Sequence, residues 1–141
     1  MIILRYALLW VMSFIFTSLI DALWHLVLFR RSYSQGIKPL ARMSGEKMAF
    51  QPVAGLLSQV LVVSGIVFLV LMLAGKGSYG TAFLVGAAAG VLAISVYGVT
   101  NYALFKDWNL TLTLLELVWG PILGGLSGLF VFWARSFLLK I

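Results

Sequence analysis

Cysteine is absent from the chain, histidine occurs once, and charged side chains make up only 10% of 141 residues. Each shortage excludes something. Without cysteine there is no disulfide, no thiolate metal site and no cysteine nucleophile. A single histidine excludes a multi-histidine metal or haem site within one chain, and neither a metal nor a cofactor is implied. The phosphate loop, H-E-x-x-H, G-x-S-x-G and dinucleotide fingerprints are also missing, so no established enzyme class is marked. Soluble domains carry about 25% charged residues. With 62% hydrophobic residues and a mean hydropathy of +1.08, this chain has far more apolar surface than one core of its size hides. It reads as an integral membrane protein.

What charge there is has a sign, formally +6 at pH 7. The basic residues gather at the ends of apolar runs, where they meet lipid headgroups and set topology. No basic face with interleaved aromatics is present, so no nucleic-acid partner is expected. Arg5 precedes a long apolar run, but no small-residue cleavage site follows, and the first helix is expected to be retained.

A membrane-crossing helix takes about 20 apolar residues. The stretches 6–29, 52–74, 81–104 and 111–134 qualify, which predicts one all-α domain over 1–141, a polytopic four-transmembrane-helix bundle. "GKGSYG" and "FKDWNL" are short connections, so the helices they join should be antiparallel neighbours. The first loop is long. Within it Ser44 could cap a short lead-in to the second span, with Glu46 in its first turn. Pro52 is read as a kink or a helix start. Arg30, Arg31, Lys38, Arg42, Lys47 and Lys106 flank one side, and Arg5, Lys76, Arg135 and Lys140 the other. That balance places the long loop in the cytoplasm and both termini outside.

Polarity inside the spans is lopsided. At about 1.5 Å per residue, Asp21 lies roughly 5 Å from the middle of its span, toward the long loop, with His25 nearer that surface. Ser58 and Gln59, then Tyr97, Thr100 and Asn101, then Glu116 and Trp119 fall in the same half of the bilayer. The other half has only Ser13, Ser64, Ser127 and Ser136. Thr17, Asp21, Trp24 and His25 share a helix face; so do Gly86, Gly90, Ala93, Tyr97 and Asn101. Glu116, Gly120, Gly124 and Gly128 recur every four residues, a spacing that lets helix backbones approach closely in lipid.

An acid at bilayer depth costs about 2.5–3.5 kcal/mol on insertion scales and usually marks a functional site. Three readings of the cluster stand beside each other. In the first, Asp21, Trp24, His25, Gln59, Tyr97, Asn101, Glu116 and Trp119 form a site open to the long-loop side. It binds or transports a small cationic or amphipathic molecule: the acids supply charge or proton coupling, Gln59, Tyr97 and Asn101 orient, and the tryptophans form walls. In the second, Asp21, His25 and Glu116 are acid–base groups of a lipid-acting enzyme. In the third, the acids are interhelical hydrogen-bond glue in an accessory subunit. Trp108 fits an interfacial belt. Partners are membrane lipids and a small-molecule or lipid ligand, with a homodimer joined through a glycine-rich face as a further expectation.

"IDALW", "RRSYSQG", "TNYALFKDW" and "ELVWG" together resemble a family of small bacterial four-helix membrane proteins, a domain of unknown function. The resemblance spans most of the chain. It implies that Asp21, Trp24, Tyr33, Gly36, Thr100, Asn101, Trp108, Trp119 and Gly120 occupy recurring positions, and that the location is the bacterial inner membrane. Two departures stand out: Gly98 and Glu116 sit where aspartates are usual, so two acids remain of three. The family supplies no reaction.

Overall fold

The computed structural model describes residues 1–139; Lys140, which enters the charge balance, lies outside the described residues. Helix α1 (Ile2–Ala22) continues into a π-helical turn, Leu23–Leu28, where Phe29 N–H reaches back to Trp24 O at 2.9 Å. Phe29 then breaks the line, with φ −117° and ψ 20°. The short helix α2 (Arg30–Ile37) follows, burying Tyr33 and Gly36 while Arg31 and Gln35 face outward.

The long loop differs from expectation. Ser44 caps nothing: it pairs with Lys47 in a small hairpin of β1 (Met43–Ser44) and β2 (Lys47–Met48). Gly45, at φ 62°, supplies the left-handed turn residue such a tight connection needs, and Glu46 completes the turn instead of opening a helix. Helix α3 (Pro52–Leu73) starts at Pro52, where a missing N–H costs nothing because the first turn has no acceptor for it.

The third span is α4 (Tyr79–Gly90), a second π turn at Val91–Ser95, and α5 (Val96–Leu104). Ser78 and Thr81 close a reciprocal capping box at its start. Asn109 caps α6 (Leu110–Leu138), accepting from Thr111 N–H at 2.7 Å. Four membrane-length apolar helices result, Ile2–Leu28, Pro52–Leu73, Tyr79–Leu104 and Leu110–Leu138. Leu19, Phe68, Leu92 and Phe137 lie more than half exposed on their outer faces, as lipid-facing side chains do.

Half of the most apolar stretch of α6 is buried, against 17% in the first span. It is the helix the others surround. Its glycines meet α4 at backbone distance: a Cβ on Gly86 would strike the Gly124 carbonyl, one on Gly90 the Gly120 carbonyl, and one on Gly128 the Ala82 carbonyl. This glycine seam is consumed inside the chain, so it is not the homodimer face the sequence suggested.

The stripe expected on the third span is also redirected. Beyond Gly90 the buried positions are Ser95, Gly98 and Asn101, whereas Ala93 and Tyr97 turn outward. The π turn is the cause, since its wider winding rotates everything after it relative to an unbroken helix. Opposite it, Pro121 lies within the continuous helix α6 and leaves the Leu117 carbonyl without its usual N–H. Ser95 Oγ fills that gap, donating to Glu116 O at 3.1 Å and Leu117 O at 3.4 Å.

Two larger apolar clusters divide the bilayer, beside a small third one of Leu9, Ala134 and Leu139. Val63, Ile66, Val70, Ala82 and Val131 pack the half toward the short α3–α4 connection, with Trp10 Nε1 on Ser64 and Thr17 on Ser127 as isolated hydrogen bonds. Trp24, Tyr33, Leu112, Trp119 and Leu123 fill the other.

Candidate functional site

The two wide or broken turns bring the polar side chains together. Trp119, the residue before Gly120 on α6, stacks on Trp24 at 4.4 Å with the rings 8° apart. Its Nε1–H donates to Asp21 Oδ1 at 2.8 Å. His25 lies one turn beyond Asp21, with Nδ1 2.9 Å from the Asp21 carbonyl and 3.2 Å from Oδ1. A carbonyl only accepts, so Nδ1 carries the hydrogen. The other ring nitrogen, Nε2, faces Glu116 Oε1 at 3.7 Å. A carboxylate from α1, an imidazole and a carboxylate from α6 thus stand in a row, with His25 and Glu116 within ion-pair reach but beyond hydrogen-bond distance.

Glu116 has its position because Gly98 has no side chain. A Cβ at Gly98 would lie 2.8 Å from Glu116 Cβ and 3.2 Å from its Cγ. The longer acid and the glycine opposite it are complementary in volume.

Asp21, His25 and Glu116 line a cavity of about 250 Å³. Ser58 and Gln59 of α3, Tyr97 of α5 and the apolar Val62, Ala93, Ile94 and Leu123 complete its wall. Gln59 Nε2 is buried without a hydrogen-bond partner. Tyr97 lines the cavity and makes no described side-chain hydrogen bond; it meets Trp108 edge-on at 5.9 Å and is more than half exposed. Asn101 is buried with Nδ2 unpartnered and is not among the residues that line the cavity. Its place follows from the rotation imposed by the π turn. Trp108 sits at the end of the third span as a belt residue does, and also donates to Thr113 Oγ1 at 3.1 Å.

One residue of the cluster was missed as a site residue. Tyr33 folds back from α2 onto the end of α1, its Oη accepting from Trp24 Nε1 at 3.1 Å and its ring 4.3 Å from that of His25. Burial pushes its phenol above the ordinary value of 10.0, and the Glu116 carboxylate adds to the shift, so Tyr33 stays a neutral hydroxyl at physiological pH. The signal was the tyrosine–glycine spacing of "RRSYSQG": Gly36, one turn on, lets α2 lie against Leu112, where a Cβ would come within 2.8 Å.

Residues 6–133 match the family described as predicted membrane protein, DUF2177. The chain belongs to that family. No curated protein and no solved structure matches it. The DUF2177 region takes in the whole cluster, from Asp21 through Tyr33 to Trp119.

Proposed function

We propose that this membrane protein binds, and moves between its cavity and the long-loop side, a small molecule with a cationic head. The observation that carries this is the row Asp21–His25–Glu116 on the wall of one intramembrane cavity. Two carboxyl groups face one imidazole, so the cluster has more acidic than basic groups. A buried negative site is stable in low dielectric only when paired, and an ammonium group supplies the pairing. His25, between two acids, would relay the proton exchanged as the cation enters or leaves. The site belongs, on this reading, in a bacterial inner membrane with the long loop cytoplasmic.

The test is uptake of methylammonium or a larger amine into proteoliposomes under an imposed pH gradient, with Asp21→Asn and Glu116→Gln beside the wild type. Gradient-dependent uptake lost in both variants supports the proposal. Uptake equal to that of empty liposomes removes transport, and unchanged amine binding by the variants removes the site. The enzyme reading rests on the same three groups, and a mass-shifted lipid after incubation would favour it instead.

A further inference from the structure

The polar cavity does not end at its own wall. A groove of about 430 Å³ runs between α3 and the third span, and it shares Ser58, Val62 and Ala93 with the cavity. Beyond those residues its lining turns apolar, with Leu61, Gly65 and Leu69 on one side and Leu92 on the other. From Ser58 to Leu69 is roughly 16 Å of helix, running from the polar half past the middle of the bilayer. The open second π turn sits at the junction, where it has turned Ala93 outward. At Gly65 an added Cβ would meet nothing within 4 Å, so the groove floor is open space and not a packing contact.

Resting on the cation-binding reading, we infer that the ligand is a long-chain amine: its head reaches Asp21 and Glu116 from within the bilayer, and its single tail lies in the groove. Three features select that chemistry. The acids accept an ammonium group. Gln59 Nε2, unpartnered on the same wall, donates to an oxygen beside the amine, so an amino-alcohol head fits best. The groove leads away from the acids in the direction that lipid chains take from their headgroups in the long-loop leaflet. An amphiphile in that leaflet enters sideways between α3 and the third span, with no need to desolvate its tail in water. Charge selects the head and the groove selects the tail.

The experiment uses dodecylamine carrying a photoreactive diazirine in its chain, with the purified full-length protein in nanodiscs and cross-links mapped by peptide mass spectrometry. Labelling should fall on the α3 and third-span peptides around Leu61 and Leu92. Unlabelled dodecylamine should compete for it, and dodecanol should not. Replacing Asp21 with Asn together with Glu116 with Gln should lower labelling on the order of tenfold or more, as expected for loss of a desolvated charge partner. Gly65→Leu fills open space, so its melting temperature should match the wild type while groove labelling drops similarly. Equal competition by dodecanol, or unchanged labelling in Gly65→Leu, overturns the inference. If n-butylamine competes as well as dodecylamine, the tail site is wrong and the cation site stands. If the double acid variant labels like the wild type, both fall.

Discussion

Asp21 accepts from Trp119 through one oxygen and faces His25 with the same atom, so its roles as acceptor and as charge are separable by mutation. Asp21→Asn keeps an acceptor for the indole N–H and removes the titratable group. The variant should melt close to the wild type in detergent and lose amine binding. Asp21→Leu strands the Trp119 N–H, and an unpaired buried polar group costs about 1–3 kcal/mol. It should therefore melt lower whatever the site does. An Asn variant as unstable as Leu would mean that the charge itself holds the bundle; one that is silent in both stability and binding would leave Asp21 as hydrogen-bond glue. Gly98 makes a second residue-scale prediction. Gly98→Ala drives a methyl against Glu116 Cβ, so it should displace the acid and weaken amine binding more than Gly65→Ala, whose Cβ meets nothing. Parallel binding isotherms for the two variants check it.

Among the elements, the α4–α6 seam and the π turn of the third span, opposite Pro121 of α6, set the geometry. Gly124→Leu places a side chain into the Gly86 carbonyl, so it should destabilise the bundle severely, whereas Leu129→Ala, off the glycine stripe, should be mild. Equal thermal shifts for the two would mean that the seam is not close-packed in the membrane. Ser95 and Pro121 form a testable couple. Ser95→Ala leaves the Leu117 carbonyl without a donor and should cost about 1 kcal/mol. In a Pro121→Ala background the restored backbone N–H serves that carbonyl, so the same change should cost much less. A double-mutant cycle on unfolding free energies reads the coupling directly; additive effects would show that the hydroxyl does not compensate for the proline.

For the whole molecule, the orientation expected follows the basic residues at the span ends. Six flank the long-loop side and four the other, and the proposed orientation puts the polar cavity toward the cytoplasm. Gln35→Cys on exposed α2 should therefore be shielded from an impermeant thiol reagent in intact cells, and Ser78→Cys should be labelled. The chain has no native cysteine to confuse the readout. Labelling in the opposite sense would invert the protein and put the cavity on the outer face, with the same fold.

The amino-acid sequence determined the spans, because bilayer thickness converts directly into a length of apolar chain, and Pro52 and Ser78 mark their starts through local backbone chemistry. It also placed Asp21, His25 and Glu116 in the same half of the bilayer, since depth follows from counting along a helix of fixed rise. What lies across from what was legible only while the helices stayed regular. The π turn at Val91–Ser95 moved Ser95 and Gly98 onto the buried face, carried Tyr97 outward and left Asn101 buried but off the cavity. A π turn has no distinct residue signature; here it carries Ser95 to the Glu116 and Leu117 carbonyls beside Pro121. Tyr33 shows the same limit: its sequence is polar and loop-like, and only the bundle gives α2 an aromatic surface to lie on. The partner of the glycine stripe was likewise a tertiary matter, because close packing says that some backbone must approach Gly124, and the fold alone decides that it is α4 of the same chain.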